Sequence, residues 1–330
     1  MAGPLAELLR AAVESGDWSR VRERLADDAV LDTSNEAGRR RIDGADTIVA
    51  YLGRPGAGAI RFERMPAAIG HGIVAVELAD DAAWIAMRDV QAQLLPPDVR
   101  LSRKESRRIL DAAAQLHRAF RDRVPTGAAA LSDRLGMCSP GVAEAERANT
   151  DLLPKQFEQG WDAFAELVAA DVADVVLELT RELDALADAL LRAHGAPTLI
   201  HGDLRGDNLG FDGDRVVLID WDLATGGTPG AEFAWYLAHS SRRIDATREQ
   251  IEADHRAAQQ DEFVDAELEL GMLSGLVQYG WRIAHSARVH PDPAETAWGV
   301  SELEWWVPRV RAALERLGWP APVHGGGRAR

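Results

Sequence analysis

The sequence predicts an α+β chain: a small α+β domain over residues 1–83, then a larger, mostly helical domain over 84–320 with one small hairpin. Three observations predict it. Short β-branched stretches gather before Met87. From Leu101 onward, apolar residues recur with the period of amphipathic helices. One stretch interrupts those helices: Thr198–Asp222, TLIHGDLRGDNLGFDGDRVVLIDWD, which reads as strand, loop, tight turn and strand.

In chain order, Leu5, Leu8, Leu9, Ala12 and Val13 share one face of a helix over Leu5–Ser15, which Gly16-Asp17 stops. Trp18, Val21 and Leu25 share the face of a second helix, and Ala29-Val30-Leu31 starts a strand. A short helix over Ala45–Leu52 is closed by Gly53 and Pro55. Strands follow at Ala59–Arg64, Ile73–Leu78 and Ala83–Met87.

Ser102 with Glu105 three residues on is a capping box, opening a helix that turns Ile109, Leu110, Ala113, Leu116 and Phe120 inward. His117 falls on the same side and is expected to be a hydrogen-bonded core histidine. Val124–Asn149, rich in Gly, Pro and Ala, is an irregular excursion with short helices. Helices are predicted over Gln156–Val168, Val172–Ala193, Glu232–Ser240, Leu268–Arg282 and Glu302–Leu317. Trp298, Trp305, Trp306 and Trp319 read as core and rim, because no basic residues interleave with them as a strand-binding groove requires. Residues 321–330 read as a disordered tail.

A chain of 330 residues is long enough for two domains or lobes. Its net charge of -16 is spread along the sequence, which argues against a nucleic-acid surface and is compatible with a cationic small molecule. Cys138 is the one cysteine, so an intrachain disulfide is excluded. The N-terminus carries no signal pattern and no apolar run approaches a membrane span. The expectation is a cytoplasmic protein with no membrane or nucleic-acid partner.

The chemistry concentrates in the interrupting stretch. A kinase catalytic loop places an Asp, which takes the proton of the attacking hydroxyl, five residues before an Asn that holds magnesium; a second Asp, further on, holds magnesium again. Asp203 and Asn208 have that spacing, and Asp220 lies one hairpin later. Magnesium is a hard cation that wants oxygen ligands, so a carboxylate, an amide oxygen and phosphate oxygens suit it.

HGDLRGDN followed by LIDWD resembles the aminoglycoside/choline-kinase-like phosphotransferase family, small-molecule kinases with a protein-kinase-like fold. GGTPGAEFAWYL, Gly226–Leu237, is similar to the segment after the family's metal-binding Asp, with Glu232 where the family often has Asp. WIAMRDV, Trp84–Val90, resembles the linker between its two lobes. The resemblance covers the chain from Trp84 onward and implies ATP and Mg2+ as cofactors. It makes Asp203 the catalytic base and Asn208 and Asp220 the metal ligands. His201 and Asp222 are supporting residues, and the backbone of Met87, Arg88, Asp89 and Val90 meets the adenine. The acceptor it implies is a hydroxylated small molecule.

The first 80 or so residues follow another pattern: two helices, GDW, DDAVL, a DG turn, a short helix and strands. That pattern resembles the nuclear-transport-factor-2-like (SnoaL-like) fold; the alternative is an atypical N-lobe. A kinase N-lobe supplies a lysine to the nucleotide phosphates. Here the two lysines are Lys104 and Lys155, both after the linker, and Arg39–Arg41, Arg61 and Arg64 are the available cations. Two readings stay open: an ATP-dependent phosphotransferase, and a catalytically impaired kinase-like module that binds a small molecule or protein.

Overall fold

The computed structural model describes residues 12, 15, 17–23, 27, 30–35, 38–52, 73–77, 83–87, 93–96, 99–145 and 153–319. Its contacts divide the chain into two compact units, Met1–Ala92 and Gln93–Arg330.

In the first unit, a short helix α1 (Ser19–Arg22) is followed by an antiparallel hairpin of β1 (Val30–Asn35) and β2 (Gly38–Asp43). Helix α2 (Ala45–Leu52) buries Ala45 and Ile48. Arg22 reaches Asp27 at 2.7 Å and also pairs with Asp46, tying α1 to the start of α2. A second antiparallel hairpin joins β3 (Ile73–Glu77) to β4 (Ala83–Met87). Ala83–Met87 falls within the first unit, which runs to Ala92. Strand β2 was not legible in the sequence, because GRRRID is a charged run and lacks the apolar alternation that marks a strand. Among the described residues the two hairpins are separate two-stranded sheets. The strand over Ala59–Arg64, residues Arg88, Asp89 and Val90, and the tail 321–330 lie outside the described residues.

The second unit is helical. α3 (Arg103–Phe120) opens with the expected capping box, the Ser102 N–H donating to the Glu105 carboxylate at 2.8 Å. Strand β5 (Leu101–Ser102) pairs in parallel with β10 (Ile244–Asp245). Short helices α4 (Leu131–Gly136) and α5 (Pro140–Ala145) make up the irregular excursion, and α6 (Leu153–Leu167) follows.

The sequence predicts one helix over Val172–Ala193, but the structure has two: α7 (Ala170–Leu179) and α8 (Leu183–His194). The Thr180 hydroxyl turns back to the Leu177 carbonyl at 2.7 Å, and Glu182 leaves helical geometry at φ -113° and ψ 46°. Apolar spacing runs on through the break, so periodicity alone did not reveal it.

After the site stretch come α9 (Pro229–Ser240), α10 (Arg248–Gln259), α11 (Asp265–Arg288) and α12 (Pro293–Leu317). Thr228 caps α9 and Pro229 sits in its first turn, where the lost N–H has no helical partner to miss. α11 is the central post: Leu268, Leu273, Leu276, Val277, Ile283 and Ala284 are buried, and it packs against α6, α9 and α12. Trp306 is fully buried, while Trp298, Trp305 and Trp319 are half-buried at the rim. Among the described residues no helix is long and apolar enough to cross a membrane.

The α9–α11 crossing is tight. A Cβ on Gly271 would lie 2.4 Å from the Gly230 carbonyl oxygen. Gly271→Ala should therefore cost about 1–3 kcal/mol through overpacking, even though alanine favours a helix interior by about 1 kcal/mol. Urea denaturation checks this; an unchanged or raised midpoint would contradict the packing described.

Candidate active site

Two short sheets aim the site loops. β6 (Thr198–Ile200) pairs antiparallel with β9 (Thr225–Gly227), Ile200 opposite Thr225. β7 (Leu209–Asp212) pairs antiparallel with β8 (Arg215–Leu218), Leu209 opposite Leu218. The chain from His201 to Asn208 runs from the end of β6 to the start of β7. The chain from Ile219 to Ala224 runs from the end of β8 back to β9. Both loops therefore span the same pair of strand ends. The hairpin turn is Gly213-Asp214, with Gly213 at φ +59°.

Ile219 clamps the loops together: its N–H donates to the Asn208 carbonyl at 3.1 Å and its carbonyl meets His201 Nε2 at 2.8 Å. The Asp203 N–H donates to His201 Nδ1 at 3.2 Å, which places the ring proton on Nε2. His201 is fully buried with its ring 4.6 Å from that of Trp221, so it shapes the loop from beneath.

Gly202 is required by its backbone. Its φ is +80°, and a Cβ there would lie 1.9 Å from the Leu223 carbonyl oxygen. Its N–H donates to Glu232 Oε1 at 3.0 Å, and its carbonyl accepts from Arg134 Nε. Glu232 lies in the first turn of α9, buried, with Oε2 at 2.7 Å from His117 Nε2. Gln259 Nε2 meets the other ring nitrogen at 3.1 Å. His117 is thus the hydrogen-bonded core histidine the sequence predicted. Burial alone would raise the Glu232 pKa, but the His117 hydrogen bond and charge outweigh it and hold the group below the usual carboxylate range.

Asp203 is 6% exposed, and three donors hold its carboxylate. Trp235 Nε1 donates to Oδ1 at 2.9 Å; Arg205 Nε and Asn208 Nδ2 donate to Oδ2 at 2.9 and 2.8 Å. Burial pushes its pKa up, but the Arg205 charge and these hydrogen bonds bring it below the ordinary value. Asn208 Nδ2 also donates to the Asp203 backbone carbonyl at 3.0 Å. With both amide hydrogens spent on Asp203, the atom Asn208 can offer a cation is its oxygen.

Asp220 stands at φ +65°, exposed at the end of the clamp. Burial of part of its carboxyl, a hydrogen bond to Asp222, and the charges of Asp222 and Asp203 together raise its pKa. The structure therefore brings Asp203 and Asn208 into contact, with Asp220 within electrostatic reach of Asp203 and Asp222 beside Asp220. Met87 ends β4 in the first unit. Lys104 and Lys155 are exposed on α3 and α6. Among the described residues no group of three or more His, Cys, Asp or Glu gathers as a metal site. An amide oxygen and a carboxylate suit a hard cation that takes its remaining ligands from phosphates and water.

Residues that sequence reasoning did not assign complete the site. Arg205 sits inside the motif and pairs with Asp203 and, at 3.6 Å, with Asp207. Arg243 donates to Asp207 at 3.1 Å and to the Pro96 carbonyl at 3.0 Å, strapping the loop to the start of the second unit. Trp235 lies in Gly226–Leu237, the segment already compared with the family, and Arg134 comes from α4; nothing in either stretch marks its contact with the site.

Residues 47–269, more than half of the chain, match the phosphotransferase enzyme family, APH. The chain belongs to this family. The fold is accordingly protein-kinase-like with a mostly helical C-lobe, that of a phosphotransferase family. The match begins at residue 47, so it takes in part of the first unit, where the resemblance read from motifs began only at Trp84. No curated protein matches the chain. Among solved structures, it is similar to a choline kinase from Cryptosporidium parvum Iowa II at 10% identity, with 95% of this chain and 97% of that one covered and a TM-score of 0.44. An aminoglycoside phosphotransferase from Alicyclobacillus acidocaldarius is similar at 15% identity, with 94% and 82% covered and a TM-score of 0.37. A choline/ethanolamine kinase family protein from Mesorhizobium loti is similar at 14% identity, with 72% and 76% covered and a TM-score of 0.40.

The phosphotransferase's loop depends on Glu232 in a pH-dependent way. The folded pKa of Glu232 is depressed, so its stabilisation is present above the usual carboxylate range and is lost as pH falls through the folded value. Glu232→Gln removes the buried charge that holds the Gly202 N–H and the His117 ring, and should cost about 1.5–3 kcal/mol at pH 7. The gap to the parent protein should narrow as the pH falls. Denaturant midpoints at pH 7 and in acid check it; a gap independent of pH would contradict an ionised Glu232.

Proposed function

We propose that this phosphotransferase moves the γ-phosphoryl group of ATP to a hydroxyl of a small molecule, with Asp203 as general base and Asn208 and Asp220 as magnesium ligands. The observation that carries the reading is the Asp203 carboxylate, buried, held by three donors and kept ionised at neutral pH. A hydroxyl proton needs an ionised, positioned acceptor. Phosphoryl transfer asks little else of a protein beyond positioning and charge. Asn208 serves both needs: its hydrogens orient the base, and its oxygen remains for the cation. Asp220 and Asp222 repel one another in the absence of a counterion, and a divalent cation relieves that repulsion. Magnesium, when bound, neutralises charge on the nucleotide phosphates. Arg205, 37% exposed beside Asp203, adds positive charge on the same loop. The first unit is read as an atypical N-lobe, a reading supported by the family match over its residues from 47 onward. ATP as donor implies a cytoplasmic reaction.

Asp203→Asn should lower kcat by about 10²- to 10⁴-fold while leaving ATP binding nearly unchanged. Asp220→Ala should instead weaken magnesium-dependent ATP binding. ADP release across a panel of hydroxylated acceptors, with titration calorimetry of both variants, tests the assignment. Equal loss of ATP binding in both variants would contradict the division of roles.

A specific observation favours the second reading, a kinase-like binding module: no lysine precedes Lys104. Each missing charge-assisted phosphate contact, worth about 1.5–3 kcal/mol, costs one to two orders of magnitude in affinity. Titration with ATP and magnesium should therefore give weak binding, near the millimolar range. Micromolar binding would show that an arginine does the lysine's work, and no detectable binding together with no ADP release would establish the binding module.

A further inference from the structure

Beside the base lies a buried cation with most of its hydrogen-bonding capacity unspent. Arg134, on α4, is 5% exposed. Its Nε donates to the Gly202 carbonyl, but Nη1 and Nη2 are buried and have no hydrogen-bond partner. The guanidinium carbon sits 4.0 Å from the centroid of the Trp235 ring, the same indole whose N–H donates to Asp203. His239, one turn further along α9, packs its ring 4.1 Å from Trp235, and its buried Nε2 also lacks a partner. Burial lowers the Arg134 pKa to about 10, so the guanidinium stays charged at neutral pH. Burial lowers the His239 pKa to about 3, so that ring stays uncharged.

Four guanidinium hydrogens without acceptors are costly in a protein interior, where nearly all buried polar groups are satisfied by protein, water or ligand. A guanidinium fork matches the paired oxygens of a carboxylate or phosphate. The β-bridge between Ala129 and Thr225 anchors the segment before α4 to β9, so Arg134 is held against the loop that carries Asp203. Trp235 joins the two groups: its ring lies against the Arg134 guanidinium and its N–H holds the Asp203 carboxylate.

We propose that the Arg134 fork, packed on the Trp235 ring against which His239 also packs, binds an anionic group of the acceptor, so that the acceptor is a hydroxyl compound carrying a carboxylate or phosphate. This rests on the reading of Asp203 as the base. It runs against the cationic acceptor that the net charge of -16 would suggest, because the groups nearest the base count for more than the charge spread over the surface.

The test uses the full chain and matched small probes: glycerate, glycerol 3-phosphate, inorganic phosphate, glycerol, and 3-amino-1,2-propanediol. Calorimetry should detect binding of at least one anionic probe, and the neutral and cationic probes should bind about 10- to 100-fold more weakly. Arg134→Gln should abolish that preference. Arg134→Lys, which keeps the charge but not the fork, should retain part of it and guards against a folding defect in the first variant. Anion binding that disappears in Arg134→Gln without turnover of any acceptor would leave this site standing and sink the phosphotransfer reading. Phosphorylation of 3-amino-1,2-propanediol in preference to glycerate, unchanged in Arg134→Gln, would overturn the site and leave phosphotransfer intact. Absence of binding by all three anionic probes at tens of millimolar would also overturn it. Where glycerate and glycerol 3-phosphate differ, the tighter of the two identifies the anionic group.

Discussion

The Glu232 carboxylate takes the Gly202 N–H with one oxygen and the His117 ring with the other, and the position of Asp203 depends on that double hold. Gly202 is confined by its left-handed backbone and by the Leu223 carbonyl, so the loop has little freedom once its N–H is fixed. His117 is in turn held by Gln259, which ties α3, α9 and α10 to one carboxylate. The helical core thereby sets the direction in which Asp203 emerges, and a small residue in the loop is forced by geometry rather than by chemistry.

Around Asp203 the protein balances charge at short range. Trp235, Arg205 and Asn208 stabilise its ionised form against burial. A few residues away the sign reverses, where partial burial, a hydrogen bond to Asp222 and the charges of Asp222 and Asp203 raise the pKa of Asp220. A stabilised carboxylate beside a mutually repelling pair gives one group suited to take a proton and another suited to hold a cation. The Arg205 charge lowers the pKa of Asp203 and offsets part of the rise at Asp220. This local arrangement outweighs the overall acidity of the chain, most of which is solvated and screened.

How much of this was legible in the sequence differs by distance along the chain. HGDLRGDN and LIDWD are contiguous, so their spacing carried Asp203, Asn208 and Asp220, and the Ser102–Glu105 cap was equally local. Glu232 was noticed only as a departure from the family pattern; its bond to Gly202 is a tertiary fact. The roles of Trp235, inside a quoted segment, and of Arg134 were not legible, because a stacked guanidinium and an indole N–H bond leave no periodic trace in sequence. The break at Thr180 was hidden for the converse reason: apolar periodicity continued across it. In the first unit, the charged strand Gly38–Asp43 escaped a reading based on apolar alternation.

The central claim is that Asp203 and Asn208 act together, one as base and the other as cation ligand. A crystal structure with a non-hydrolysable ATP analogue and manganese, located by its anomalous signal, tests this most directly. The account predicts the ion bound by the Asn208 side-chain oxygen and the Asp220 carboxylate, with the γ-phosphate facing Asp203. An ion and triphosphate bound away from Asn208 and Asp220 would contradict it.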